Sequence, residues 1–302
     1  VTALLLPSLA DDLPIADSLD THVWDSGDEL PDDDVLGQVG MYVMPYTFSA
    51  DTGDIIARMP QLSVVQTLTA GYEHVRPYLR PGITLCNARG VHDASTAELA
   101  VTLTLASLRG IPTFVEARQR GEWAFGVYEA LADKTVLIVG YGAIGRAIED
   151  RLVPFECDVL RVARTARDGV AGFESLPELV GHADVAIMIC PLTDETRGMV
   201  DATFLASMKD DALLVNVARG GVVDTDALVA ELSAGRLRAA LDVTDPEPPP
   251  EGHPLWTVPN LLLSPHVGGS SSAFLPRARR LVKAQVERYA AGDPLANVVV
   301  GP

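Results

Sequence analysis

The segment Gly140-Tyr141-Gly142-Ala143-Ile144-Gly145 directly follows the apolar run Val136 to Val139 and opens a helical-looking stretch at Ala143. No other feature of the sequence narrows the possible folds so far. A bare Gly-x-Gly-x-x-Gly is common, but after a strand and before a helix it aims backbone N–H groups and the positive helix end at one point, where a pyrophosphate can sit. A turn that only reverses the chain at positive φ would use the same glycines. The context therefore predicts a dinucleotide-binding βαβ unit, with Gly140, Gly142 and Gly145 at the phosphates.

About 20 residues further on, such a unit usually carries an acid for the adenosine ribose hydroxyls. Here the next strand runs out as Arg161-Val162-Ala163-Arg164-Thr165-Ala166-Arg167, with Ala163 where the acid is expected. Two arginines and a hydroxyl suit a 2′-phosphate, so Arg164, Thr165 and Arg167 are expected to favour NADP(H), with NAD(H) possible. An exposed basic turn is the alternative.

The strand around the glycine motif belongs to a series: Thr135 to Val139, Asp158 to Val162, Asp184 to Ile189, Ala212 to Asn216, Leu237 to Asp242 and Leu261 to Ser264. With helices between them, these suit a doubly wound parallel sheet. Earlier runs at Leu4 to Leu6, Met41 to Met44, Ser63 to Leu68 and Ile83 to Cys86 predict a second α/β domain. Asp93 is placed as the N-cap of a buried helix over Ala94 to Leu108, closed by Gly110 and Pro112 and crossing between the domains. A last helix is expected over Ser272 to Ala291, with Gly292 as its C′ residue.

The 302 residues suit two domains. A formal net charge of −18 argues against nucleic acid and membrane surfaces as partners. Cys86, Cys157 and Cys190 are odd in number, widely spaced and set in apolar stretches, which suggests no disulfide framework or metal site and fits a cytoplasmic location. The start, Val1 to Pro7, has no basic residues ahead of its apolar run and is expected to be a buried strand, not a signal peptide.

Three segments follow predicted strands and carry chemistry. Leu214-Val-Asn216-Val217-Ala218-Arg219-Gly220 sets an arginine at a strand's carboxyl end, Leu241-Asp242-Val-Thr-Asp245-Pro-Glu247-Pro248 sets acids at the next, and Ser264-Pro-His266-Val-Gly268-Gly269 sets a histidine at a third. Singly, Arg219 could be a surface residue and His266 a structural one. Converging at one sheet edge they would provide an anchor for an anion, a general acid and a group that tunes that acid, which is what reduction of a 2-keto acid requires.

These motifs resemble the D-isomer-specific 2-hydroxyacid dehydrogenase family. The similarity runs from about Gly71 to Val299 and is most specific at Cys190 to Gly198, Met208-Lys209, Asn216 to Gly220, Asp242 to Pro248, His253 to Trp256 and Pro265 to Gly269. The resemblance implies two Rossmann-like doubly wound domains: a flavodoxin-like substrate domain of residues 1–93 and 273–302, and a dinucleotide-binding domain of residues 94–272. It further implies that Arg219 holds the substrate carboxylate and keto oxygen, that His266 is the acid-base group oriented by Glu247, and that Ala70, Gly71 and Tyr72 offer backbone N–H groups to the carboxylate. Asp242 would hold the nicotinamide carboxamide, Ala143 and Ile144 would make the contacts of the glycine turn, and Pro191, Val217, Ala218 and Gly268 would line the cofactor. A homodimer acting on a small 2-keto or 2-hydroxy acid is expected, of the glyoxylate or hydroxypyruvate reductase kind.

Glu247 stands where formate dehydrogenases of this family carry Gln, which argues against formate. Phosphite dehydrogenases share the Arg, Glu and His, and some corepressor-like scaffolds keep the whole set as nucleotide-dependent dimers, so both stay open as alternatives; the chain's close near the final family motif favours an enzyme. Glu73 replaces an Asp common in relatives. Tyr46, Phe48, Tyr72, His92, Trp123 and Phe274 are the candidates for the substrate pocket, or else core and hinge packing.

Overall fold

The continuous apolar runs become strands covered on both faces, as parallel sheets require. In the computed structural model, which describes residues 3–10, 13, 19–46 and 51–302, every residue of Ala3–Leu6, Val39–Val43, Val185–Met188 and Leu213–Asn216 is buried. The chain separates into two compact units, Val1–His92 with Ser272–Pro302, and Asp93–Ser271.

The first unit begins β1 (Ala3–Leu6), β2 (Asp20–Val23), α1 (Asp33–Leu36), β3 (Val39–Val43), α2 (Thr52–Ala57), β4 (Val64–Gln66) and β5 (Thr84–Cys86). The second unit runs α3 (Asp93–Leu108), α4 (Ile111–Arg120), β6 (Thr135–Val139), α5 (Ala143–Leu152), β7 (Asp158–Val162), α6 (Leu176–Val180), β8 (Val185–Met188), α7 (Ala202–Ser207), β9 (Leu213–Asn216), α8 (Thr225–Ser233), β10 (Arg238–Leu241) and β11 (Leu261–Leu263). The chain then returns to the first unit with α9 (Phe274–Ala291) and β12 (Val298–Val300).

In the first unit the strand order is β12-β5-β4-β3-β1-β2, parallel except for β12, which pairs antiparallel with β5. The five parallel strands follow the 2-1-3-4-5 order of flavodoxin-like sheets. Leu4, Leu6, Met41 and Val43 face one apolar layer with Ala278, Val282 and Val286 of α9, while Leu5, Tyr42, Val65 and Leu85 face the other. Burial pushes the Tyr42 hydroxyl far above its ordinary range. In the second unit the order is β11-β10-β9-β8-β6-β7, all parallel, and a parallel bridge from Val162 to Ala171 extends the β7 edge. The strand order reverses between β6 and β8, so the crevice at their carboxyl ends is the switch point where doubly wound sheets bind ligands.

Two local expectations differ from the structure, and two edge strands come without one. Asp93 is the first residue of α3, not its cap. Pro112 does not end the helical region; Gly110, at φ +66°, breaks it, and the chain resumes as α4 with Pro112 in the first turn, where its missing N–H costs nothing. The strands β2 and β12 lie at the two sheet edges, and the largely exposed Asp-Thr-His-Val of β2 carries no apolar pattern to announce it. Among the described residues no single helix is long and apolar enough to cross a membrane, and α3 and α4 are bent by 57° at their break.

Candidate active site

The glycine turn forms because β6 stops at Gly140, which only a residue without Cβ can occupy: its φ is +107°, and a Cβ would lie 2.4 Å from Cys190 N. This close approach sets the turn directly on the backbone after β8. At Gly145 a Cβ would meet Gly140 O at 2.8 Å, whereas at Gly142 nothing lies within 4 Å. Packed below and open above, the turn leads into α5 at Ala143, so the backbone fits a pyrophosphate at a helix N-terminus.

Tyr141, inside this turn, is held by charge. Arg161 on β7 donates from Nε to Glu149 Oε2 of α5 at 2.8 Å and pairs through Nη2 with the other carboxylate oxygen. The Tyr141 hydroxyl bonds to the same carboxylate. The Arg161 guanidinium therefore holds the Glu149 carboxyl below its ordinary value, against the burial that would raise it. Burial and the Glu149 carboxylate push the Tyr141 hydroxyl up. Arg167 donates to Tyr141 O, and its guanidinium lies 5.8 Å from the Tyr141 ring centroid, as that of Arg161 does at 5.9 Å. Of the three residues expected to meet a 2′-phosphate, Arg167 is thus tied to the glycine turn, while Arg164 and Thr165 are exposed. Arg164 forms no hydrogen bond or ion pair among the described residues and lines a groove of about 680 Å³ with Phe173, Glu195 and Asp201.

The next strands each deliver one polar group. At β9, buried Asn216 accepts from Ala218 N at 3.0 Å and donates to Arg219 O at 3.0 Å, which fixes the turn Val217 to Arg219. Arg219 donates back to Ala218 O at 2.7 Å. Gly220 then packs so tightly on the loop after β10 that a Cβ would sit 1.8 Å from Thr244 O. At β10, the Asp242 carboxylate, 2% exposed, accepts from Ser264 Oγ at 2.6 Å, Val267 N at 2.9 Å and Gly268 N at 2.8 Å. Its main-chain oxygen accepts from His266 N at 2.8 Å, and Thr96 Oγ1 of α3 donates to Gly268 O at 3.2 Å. Clamped in this way, His266 takes φ +53°, a conformation a β-carbon resists. Its Nδ1 lies 2.5 Å from Glu247 Oε1, and Glu247 Oε2 accepts from Thr244 N at 3.3 Å.

The structure thus brings the glycine turn, Arg164, Pro191, Arg219, Glu247 and His266 to the carboxyl ends of adjacent strands in one sheet. Asn216, Ser264 and Thr96 were not singled out from the sequence, although Asn216 and Ser264 lie inside the quoted motifs; a polar residue ending an apolar strand was the available signal. Trp123 is 93% exposed beyond α4 and beside a cavity of about 570 Å³ lined by Phe114 and Tyr128. In the first unit, Tyr46, His92 and Phe274 stack together, with His92 5.6 Å from the Tyr46 ring and 5.5 Å from Phe274. Tyr72 packs on the core there, and Phe48 lies outside the described residues. The turn Ala70 to Tyr72 follows β4, with Thr69 Oγ1 donating to Gly71 O at 2.6 Å. Among the described residues no three potential ligand side chains group to hold a metal.

A dinucleotide turn at the switch point, with a carboxylate-bound histidine two strand ends away from an arginine, defines a nicotinamide-dependent oxidoreductase. The family described as D-isomer specific 2-hydroxyacid dehydrogenase, NAD binding domain, matches residues 101–268. Glyoxylate reductase/hydroxypyruvate reductase of Mus musculus is 34% identical over 278 residues, 85% of this chain and 84% of that protein. Among solved structures, a protein from Thermus thermophilus superimposes with a TM-score of 0.82 at 31% identity, covering 99% of this chain and 100% of that one. A D-isomer specific 2-hydroxyacid dehydrogenase from Xanthobacter autotrophicus Py2, in complex with NADPH and MES, gives 0.82 at 28%, covering 99% and 98%. The chain belongs to the D-isomer-specific 2-hydroxyacid dehydrogenase family. It is an NAD(P)-dependent enzyme that transfers a hydride between the nicotinamide and a 2-keto or 2-hydroxy acid.

Proposed function

We propose that this enzyme is an NADPH-preferring reductase of a small 2-keto acid, of the glyoxylate or hydroxypyruvate type, with His266 as the proton donor. The observation that carries the proposal is the 2.5 Å contact between His266 Nδ1 and Glu247 Oε1. With Nδ1 held by the carboxylate, the ring would act on the substrate through Nε2. The unit Asp93–Ser271 is proposed to bind the dinucleotide and the other unit to bind the substrate.

A reduced nicotinamide, when bound, is the source of the hydride. Gly140, Gly142, Ala143, Ile144 and Gly145 would hold its pyrophosphate, and Pro191, Val217, Ala218 and Gly268 its flanks. Asp242 has about four acceptor positions on its carboxylate and uses three within the His266 loop, which leaves one for the carboxamide. Arg219 binds the substrate carboxylate and stabilises charge that gathers on the keto oxygen, while Ala70, Gly71 and Tyr72 offer N–H groups to the carboxylate. His266 then delivers its proton to that oxygen, and Glu247 keeps the imidazole in place.

The preference for NADPH rests on Ala163 in the position of the usual acid and on Arg164 and Thr165 beyond it; the similar Xanthobacter enzyme was solved with NADPH. Three cysteines without a disulfide, with the Cys86 and Cys190 thiols pushed up to about 11 by burial, fit a reducing cytoplasm. The protein is further proposed to act as a homodimer.

Initial rates with glyoxylate, hydroxypyruvate, pyruvate and phenylpyruvate, using NADPH and NADH in parallel, test the proposal. Reduction of one of them with NADPH well ahead of NADH is expected, and Arg164→Ala should weaken NADPH about tenfold while sparing NADH, as loss of one charge-assisted bond predicts. Preference for NADH would remove the phosphate role, and silence with every keto acid would remove the substrate class.

A further inference from the structure

In the first unit, five consecutive carbonyls, from Thr67 to Gly71, each accept a hydrogen bond. Gln66 Nε2 donates to Thr67 O at 2.8 Å and His92 Nε2 to Leu68 O at 2.7 Å. Thr67 Oγ1 and Ala88 N both donate to Thr69 O, at 3.0 and 2.9 Å. Asn87 Nδ2 donates to Ala70 O at 2.7 Å, and Thr69 Oγ1 to Gly71 O. Gln66, Thr67, Thr69, Asn87 and His92 are all less than 10% exposed.

The donors are themselves anchored. Gln66 also donates to Asn87 O at 3.1 Å and accepts at Oε1 from Gln285 Nε2 of α9 at 2.8 Å. Gln285 is bonded both ways to Ala296 ahead of β12. Asn87 takes Arg89 N on its Oδ1 at 3.2 Å, which orients the amide so that Nδ2 meets Ala70 O. A chain of buried amides therefore runs from α9 through Gln66 and Asn87 to the peptide between Ala70 and Gly71.

In a trans peptide the C=O and the following N–H point in opposite directions. A carbonyl drawn to Asn87 consequently turns the Gly71 N–H away from Asn87, and a carbonyl drawn to the Thr69 hydroxyl does the same for the Tyr72 N–H. We infer that Asn87 is a positioning residue for substrate: it fixes the Ala70–Gly71 peptide so that its N–H is presented to the 2-keto acid carboxylate before binding. This rests on the assignment of Ala70 to Tyr72 to that carboxylate. The benefit is preorganisation, since an unheld peptide would have to be ordered at the expense of affinity.

The test uses purified full-length enzyme and the best 2-keto acid of the panel, with oxamate as an inert carboxylate titrated calorimetrically onto the NADPH-loaded protein. Asn87→Ala is expected to raise KM and weaken oxamate about tenfold, with kcat within about threefold and NADPH affinity unchanged, the pattern of lost ground-state binding. Asn87→Asp keeps the acceptor for Arg89 N and loses the donor. Its oxamate binding, relative to wild type at the same pH, should be poor at pH 8 and recover toward pH 5, where the new carboxyl can donate to Ala70 O. That recovery carries the test alone should Asn87→Ala fail to fold. Unchanged KM in both variants, or a loss of kcat and NADPH affinity accompanying the rise in KM, would overturn the inference. Gly71→Val separates the two levels: if it leaves KM and oxamate binding intact, the carboxylate assignment fails, and if it impairs them while the Asn87 variants do not, only the positioning role fails.

Discussion

At the scale of single residues, two carboxylates set the chemistry by what they hold. Glu247 fixes His266 through Nδ1 at 2.5 Å, so a neutral amide there keeps the shape and loses the negative charge beside the ring. Glu247→Gln should lower kcat for reduction about 100-fold with little change in NADPH binding, within the range of general acid catalysis; single-turnover rates would show this, and an unchanged rate would exclude the pair from proton transfer. Glu149 works at the other end of the crevice. Its carboxyl is held low by Arg161, so the folded state binds its proton less readily than the unfolded chain does. The sign follows: the stabilisation is complete above the unfolded value near 4.5 and disappears as pH falls through the lower folded value. Denaturant unfolding should find Glu149→Gln less stable by about 2 kcal/mol at pH 7 and converging on wild type in acid. A constant difference across that window would contradict the linkage.

Between elements, the loops after β9, β10 and β11 act as one unit because each is bolted to the next. Gly220 touches Thr244 O, and Asp242 gathers Ser264, Val267 and Gly268. The glycine is there for space: a methyl group at 1.8 Å from a backbone oxygen forces two loops apart. Gly220→Ala should therefore reduce kcat/KM by about 100-fold or more, since a shift of about 1 Å in catalytic groups has that cost, and steady-state kinetics on a variant shown to be folded by circular dichroism would test it. Wild-type kinetics would mean that the loops part without moving Arg219 or Glu247. Conversely, α4 and its following segment are bound to little. Trp123, Phe125 and Val127 are 93%, 90% and 102% exposed, next to half-exposed Ile111 and Val115.

For the whole molecule, that arm is what supports the proposed homodimer, because clustered exposed aromatics on an otherwise strongly acidic protein are the kind of patch that association covers. Light scattering should give about twice the 32.1 kDa chain mass for wild type and about one chain mass for a Trp123→Ser, Phe125→Ser double variant; a monomeric wild type would remove the proposal. The fold's outline was legible in the sequence because its strands are continuous apolar runs and its turns carry glycine, both local properties. The edge strand β2 escaped because an exposed strand needs no apolar pattern, and α4 because Gly110 and Pro112 end one helix and begin another with equal ease. By itself, then, the sequence determined the doubly wound sheets, the glycine turn between strand and helix, and the choice of Arg219, Glu247 and His266 as the candidates at neighbouring strand ends, each marked by residue types at short spacing. Only the tertiary structure decided that Arg167 is tied to Tyr141, that Asp242 braces the histidine loop and that Asn87 clamps the Ala70 turn, because these hydrogen bonds join residues 17 to 26 positions apart whose meeting depends on how the strands stack.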